Sequence, residues 1–215
     1  MGNAVEIEFA VDLEKDDHNR ASFYILQIKP LISNTMECQI DLEEEDKDSI
    51  LLYSEKGMGN GIVDDVTDVI YVDLNKFDKT KTQEMALEIE SLNQYMIEQK
   101  RKYVLIGPGR WGTRDRWIGI PVKWHMISNA RVIVETAMDD FPLEASSGSH
   151  FFHNVTSMSV GYFTVQPELS TSYLHYKMLD DQPLIYQGEY FKHIRFKTPM
   201  KIKMDGRKRI YLISV

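Results

Sequence analysis

Four side chains near the start of the chain combine types that bind a divalent metal and a phosphate. Glu6 and Glu8 lie two positions apart, as do Gln27 and Lys29. In a β-strand, this spacing places the members of each pair about 7 Å apart on one face. Adjacent carboxylates repel unless they are solvated or share a hard cation such as Mg²⁺, and a nearby lysine can neutralise phosphate oxygens. The alternative is a plain hairpin with a polar outer face.

The segments that carry these residues have the pattern of a β-hairpin. Residues 4–12 alternate between apolar and polar side chains, and the apolar positions are Val5, Ile7, Phe9 and Val11. Residues 13–21 are polar, and residues 23–28 form a second apolar stretch that Pro30 closes. The sequence therefore predicts two paired strands.

These two segments, VEIEFAVDL and FYILQIKPL, resemble the last strands of the ATP-grasp domain in the phosphoenolpyruvate synthase and pyruvate phosphate dikinase family. In that family, an acidic-x-Glu pair and a Leu-Gln-x-Arg-Pro element bind Mg-ATP. The resemblance implies that Glu6 and Glu8 bind the metal and, with Gln27, the nucleotide. It implies that Lys29 is the catalytic cation in place of the family's arginine. Lysine keeps the charge but lacks the bidentate fork of arginine.

Two later segments, IGPGRWGTRDRWIGIPVKW and GSHFFHNVTSMSVGYFT, are similar to the far C-terminal region of bacterial phosphoenolpyruvate synthase-like proteins. The resemblance implies a C-terminal fragment of a kinase-type phosphotransferase that uses ATP and Mg²⁺ with a small-molecule substrate. The family's upstream nucleotide-binding lobe, swivelling phosphohistidine domain and phosphoenolpyruvate-binding barrel would be partners from the same polypeptide. The fragment alone is then expected to be inactive.

A glycine-rich loop after a predicted strand is a second candidate site. Positions 107–116 contain three glycines and three arginines, namely Gly107, Gly109, Gly112, Arg110, Arg114 and Arg116. Glycines allow a backbone to approach an anion closely, and arginines pair with phosphate bidentately. The segment lacks both the Walker ending and the dinucleotide fingerprint. The alternative is a tight turn whose arginines pair with acids such as Asp115.

Two histidines follow a small-residue turn at residues 146–149. His150 and His153 are three positions apart, which places them on one face of a helix, where they could bind a metal or relay protons. His150 is the candidate for a phosphohistidine or nucleotide contact by family analogy. The alternative is a pair of satisfied polar histidines at the edge of a core.

The rest of the chain predicts an α+β fold with mixed or antiparallel sheets and few helices. The clearest helix spans residues 78–100, with a capping box from Thr80 to Gln83. Strands are expected at residues 50–54, 66–74, 103–106, 130–136 and 161–165, and a hairpin at 200–204 and 209–215. The predicted organisation is an ATP-grasp-like hairpin (1–40), an acidic linker (41–49) and a C-terminal α/β domain (50–215).

Composition excludes several classes of function. The chain of 215 residues has a net charge of −8, which argues against generic nucleic-acid binding. The charge is uneven, with 9 Lys and Arg against 23 Asp and Glu in the first hundred residues. No apolar stretch is long enough for a membrane helix, so no membrane partner is expected. The single cysteine, Cys38, and the lack of a signal-like start predict a cytoplasmic location.

Two further functions compete with the phosphotransferase. In one, residues 50–215 form a non-catalytic ligand-binding or regulatory module with the Gly107–Arg116 loop as its anion site. In the other, the Arg and His cluster belongs to a separate enzyme, but no recognisable nucleophile and base accompany it.

Overall fold

The computed structural model describes residues 5–15, 17–30, 38–113, 115, 117–138, 143, 155, 158–166 and 171–215. The chain divides into two compact units, Met1–Thr35 and Met36–Val215. The predicted linker at 41–49 lies within the second unit, where Glu45 forms an ion pair with Lys203.

The first unit is an antiparallel hairpin of β1 (Val5–Asp12) and β2 (Ser22–Pro30), as the sequence predicts. Its register is regular from Val5 to Glu8 and shifts between Glu8 and Phe9, where β2 contains one extra residue. Such a β-bulge reverses which face the following side chains occupy.

This bulge gives the hairpin one continuous apolar face. Phe9 pairs with Ile25 and Val11 with Phe23, so both phenylalanines share a face, and their rings stack 4.8 Å apart. That face carries Ile7, Phe9, Val11, Phe23, Ile25 and Ile28. Each of these side chains is still at least 45% exposed, because two strands alone cannot cover an apolar face.

The second unit is built mainly of strands. Its strands are β3 (Ile50–Ser54), β4 (Gly57–Met58), β5 (Gly61–Val72), β6 (Tyr103–Pro108), β7 (Arg110–Trp111), β8 (Gly119–Ile120), β9 (Ala130–Thr136), β10 (Gly161–Val165), β11 (Ser172–Leu174), β12 (Leu184–Gln187), β13 (Phe191–Asp205) and β14 (Ile210–Ser214). The helices are α1 (Thr82–Glu98) and α2 (Tyr176–Asp180), with short 3₁₀ turns at Lys47–Ser49, Lys79–Lys81 and Trp124–Ile127.

Ten strands form one mixed sheet in the order β11-β3-β14-β13-β5-β6-β9-β10-β4, with β12 beside β13. Strands β5, β6, β9 and β10 are parallel, and the remaining pairs are antiparallel. The sheet curls as a half-barrel. Strands β3 and β10, which are not neighbours in it, approach each other, and the Ser54 hydroxyl at the end of β3 donates to the Thr164 carbonyl of β10 at 2.6 Å. The expected α+β class with mixed sheets is confirmed.

Each face of this sheet covers its own hydrophobic core. On β6, Val104 and Ile106 lie in one cluster, and Tyr103 and Leu105 lie in the other. The Val104 cluster fills the inside of the curl, since Phe163 on β10 and Tyr211 on β14 place their rings 5.1 Å apart across it. The Tyr103 cluster lies beneath α1, whose buried side chains include Met85, Ile89, Leu92 and Met96.

The predicted helix is confirmed, but its predicted cap is wrong. Helix α1 begins at Thr82 after a 3₁₀ turn, and the Asp78 carboxylate accepts a hydrogen bond from the Thr80 amide at 2.8 Å. Asp at this position satisfies an amide that the turn leaves free, so the cap comes two residues earlier than the Thr80–Gln83 box would place it.

A buried ion network holds the amino ends of the parallel strands. Asp68 is 1% exposed and accepts hydrogen bonds from Arg101 and Arg195, each at 2.9 Å, while His193 lies 2.8 Å away. Burial alone would raise the pKa of Asp68, but the bonds from His193, Arg101, Thr67 and Arg195 outweigh it and hold that pKa well below its usual range. This network ties β5 and β13 to the segment that leads into β6.

Across the described part of the chain, no helix has the length and apolar character needed to cross a bilayer.

Candidate functional site

The hairpin register brings the four predicted residue positions together in cross-strand pairs. Glu6 is paired with Lys29, and Glu8 with Gln27. Directly paired residues of antiparallel strands project from the same face, so the four positions share the hairpin face opposite the apolar one. The side chains of Glu8 and Gln27 are exposed, and those of Glu6 and Lys29 lie outside the described part of the structure.

The arrangement offers oxygen ligands and a cation but does not enclose a metal. Among the described residues, no group of three His, Cys, Asp or Glu side chains is close enough to hold a metal ion. A Mg²⁺ ion usually keeps several waters and binds one or two carboxylates together with substrate phosphates, so a two-carboxylate site needs the nucleotide to complete it.

The glycines of the second site are required by the loop's own geometry. Gly109 and Gly112 have φ values of 68° and 76°, in the left-handed region that favours glycine. A Cβ on Gly107 would lie 2.5 Å from the Trp111 ring, and one on Gly119 would lie 2.0 Å from the Arg110 carbonyl oxygen. The loop therefore folds tightly around Trp111, immediately beyond the carboxyl end of β6.

Arg110 is the one predicted arginine that the structure describes, since Arg114 and Arg116 lie outside the described residues. It is half-buried, and no described carboxylate forms an ion pair with it. Asp115, its predicted partner, instead accepts a hydrogen bond from the Trp117 amide at 2.9 Å. The positive charge of Arg110 acts to lower the pKa of Glu135, on the neighbouring strand β9.

Glu135 is a buried carboxyl group beneath this loop, and it is 6% exposed. Its Oε1 accepts hydrogen bonds from the Trp111 amide at 2.9 Å and from the Tyr162 hydroxyl. Burial raises the pKa of Glu135 to about 7, although the bonds from Tyr162 and Trp111 and the charge of Arg110 partly oppose the rise. The group can therefore exchange a proton near neutral pH.

Sequence reasoning missed Glu135 and Tyr162. The available signal was the single acid near the end of the strand ARVIVET, and the alternation of side chains along a strand makes such an acid look like an ordinary solvent-facing residue. Glu135 is covered by groups that lie outside its own strand, namely the Trp111 loop after β6 and Tyr162 on β10.

The predicted histidine pair, His150 and His153, lies outside the described residues. Val155, two positions after His153 in the sequence, is buried in the core beneath α1.

Comparisons with known proteins add no relative to these observations. No protein-family model matches the chain, and neither a search of curated proteins nor one of solved structures finds a match. The function has to be argued from the two sites themselves.

Proposed function

We propose that this chain supplies part of a Mg-ATP site to a phosphotransferase of the phosphoenolpyruvate synthase type. The observation that carries the proposal is the register that pairs Glu6 with Lys29 and Glu8 with Gln27. In this proposal the two glutamates bind Mg²⁺, Gln27 hydrogen-bonds the nucleotide, and Lys29 neutralises charge on the transferring phosphate.

The chemistry would be phosphoryl transfer from ATP, in which a protein mainly positions the reactants and neutralises charge. A carboxylate pair opposite an amide and an ammonium group provides these functions on one surface. Lysine acts on phosphate as a point charge rather than as a bidentate fork, so Lys29 would stabilise charge without fixing the orientation of the phosphate.

The hairpin can supply only part of such a site. Side chains on both of its faces are exposed, as Glu8 and Phe9 illustrate, so the hairpin cannot enclose a nucleotide. A pocket that excludes water around the phosphates needs further walls. In this proposal, other domains of a phosphotransferase provide those walls, and the hairpin alone binds Mg-ATP weakly and does not turn it over.

Titration calorimetry with Mg-ATP tests the proposal. Glu8→Gln removes one metal ligand, and we expect it to weaken binding about tenfold or more, since charge-assisted contacts are worth roughly 1.5–3 kcal/mol. Glu14→Gln removes the same charge from the turn of the same hairpin and serves as the control. Equal affinities of the two variants would contradict the proposal.

A regulatory anion site at the Gly107–Arg116 loop is a second candidate. The observation that favours it is the position of Arg110, half-buried beyond the carboxyl end of a parallel strand and without an ion-pair partner among the described carboxylates. Ligands of α/β sheets bind at this end of the strands.

Substitution distinguishes the two candidates. If Arg110→Ala abolishes nucleotide binding while Glu8→Gln and the exposed control Arg209→Ala preserve it, the loop is the binding site and the hairpin proposal fails.

A further inference from the structure

A pocket of about 300 Å³ lies at one end of the curled sheet, within the second unit. Its floor includes Thr136 and Val165, the last residues of the parallel strands β9 and β10. Strand β11 and the start of α2 contribute Leu174 and Tyr176 to its walls. The carboxyl ends of parallel strands and the mouths of curled sheets are both common places for ligands to bind.

The lining of this pocket is mostly apolar. Leu74, Val165 and Leu174 supply aliphatic surface, and Tyr173 and Tyr176 supply aromatic surface. None of the described residues that line it is Asp, Glu, Lys or Arg. Burial raises the pKa of both tyrosines, so both phenols stay neutral at physiological pH. A charged ligand would lose its hydration here without gaining a counter-charge.

One buried hydroxyl in the lining makes no hydrogen bond of normal geometry to any described residue. Thr136 is 3% exposed, and its Oγ1 makes no hydrogen bond in the described structure. The Tyr176 hydroxyl interacts with it, since Thr136 partly opposes the rise that burial causes in the pKa of Tyr176, but the two hydroxyls do not reach the geometry of a hydrogen bond. The hydroxyl of Ser172, in contrast, bonds to both backbone polar groups of Gln166, at 2.8 and 3.2 Å.

We propose that this pocket binds a small uncharged aromatic molecule whose single polar group hydrogen-bonds to Thr136. The apolar walls favour a ring, the tyrosines can contact its edge or face, and the free hydroxyl provides one directional bond. A single water between the Thr136 and Tyr176 hydroxyls would leave the aliphatic surface of Leu74, Val165 and Leu174 without contacts, whereas a ring covers it. The inference does not depend on the nucleotide proposal for the hairpin.

Binding of three matched probes tests this inference. p-Cresol has the ring and one hydroxyl, toluene lacks the hydroxyl, and benzoate adds a charge. Methyl NMR spectra of the full chain should show p-cresol shifting the signals of Val165 and Leu174. Toluene should bind more weakly at the same signals, and benzoate should not bind.

Thr136→Val keeps the shape of the side chain and removes the hydroxyl. We expect it to weaken p-cresol binding about fivefold, the value of one ordinary hydrogen bond, and to leave toluene unchanged. The control is Thr164→Val, a half-buried position on β10 that does not line the pocket. Thermal unfolding of both variants checks that they fold.

The inference is overturned if p-cresol leaves the Val165 and Leu174 signals unchanged at millimolar concentration. It is also overturned if benzoate binds as well as p-cresol, or if Thr136→Val affects p-cresol and toluene equally.

Discussion

The hairpin and the ten-stranded sheet use the same alternating sequence pattern but differ in what the pattern buries. Phe163 in the sheet is fully buried, whereas Phe9 in the hairpin is 55% exposed. Both residues lie on the apolar face of a strand. The difference is that the sheet curls over its apolar face, whereas the hairpin consists of two strands only.

This contrast separates stability from function. The sheet unit encloses its own cores, so its folding free energy does not require the hairpin. The hairpin exposes both an apolar face and the predicted metal-binding face, and an isolated two-stranded hairpin is marginally stable at best. The hairpin is therefore expected to serve the protein by binding a ligand or another domain.

The largest predicted effect compares the same substitution in the two regions. Phe163→Ala should destabilise the sheet unit by about 3–5 kcal/mol, because it removes a buried ring and leaves a cavity. Phe9→Ala should change that unit's stability by less than about 0.5 kcal/mol. Urea unfolding followed by tryptophan fluorescence reports the sheet unit alone, because all 3 tryptophans lie in it. Equal losses of unfolding free energy in Phe163→Ala and Phe9→Ala would contradict the difference between the two regions.

The next effect concerns the ion network at the amino ends of the parallel strands. Asp68→Asn leaves two arginines without their buried carboxylate and should cost about 3 kcal/mol. The control is Asp65→Asn, at an exposed position of the same strand.

The pH dependence of the Asp68 contribution follows from the sign of the pKa shift. The folded pKa lies below the ordinary value, so the stabilisation is complete above about pH 4 and is lost as the pH falls. The unfolding free energies of wild type and Asp68→Asn should therefore converge in acid. A constant difference down to low pH would contradict this assignment.

The smallest effect in this series comes from Glu135. Its folded pKa of about 7 is above the ordinary value, so the folded state holds a proton that the unfolded state releases. The stability of the wild type should fall by about 2–3 kcal/mol between roughly pH 4.5 and pH 7 through this group.

Glu135→Gln should remove that slope, and the exposed control Glu44→Gln should retain it. Urea unfolding at a series of pH values measures both. A Glu135→Gln profile parallel to the wild type would show that the carboxyl group is ionised throughout.

Much of the local structure could be predicted from the sequence. Strands β3, β9 and β10 have the predicted bounds, because each is a short apolar run between polar or glycine-containing segments. Helix α1 follows from its 4-3-4 spacing of buried residues. The pairing of the two hairpin strands also follows from their patterns, because the intervening segment is short and polar.

Long-range features could not be predicted in the same way. The extra residue of β2 sets which face Phe23 and Ile25 occupy, and simple alternation would place them beside Gln27. Likewise, Glu135 and Thr136 are adjacent in sequence but serve opposite faces of the sheet, one beneath the Trp111 loop and one in the pocket. Their environments are made by segments far away in the chain.

The central claim is that the polar face of the hairpin binds a metal-nucleotide complex. Mn²⁺ can replace Mg²⁺ in such a complex, and it broadens the NMR signals of nearby nuclei. With Mn-ATP, we predict that the amide signals of Glu6, Glu8 and Gln27 broaden first, and that Glu8→Gln abolishes this effect while Glu14→Gln preserves it. Broadening that instead centres on the acidic segment 41–48, or that persists unchanged in Glu8→Gln, would contradict the account.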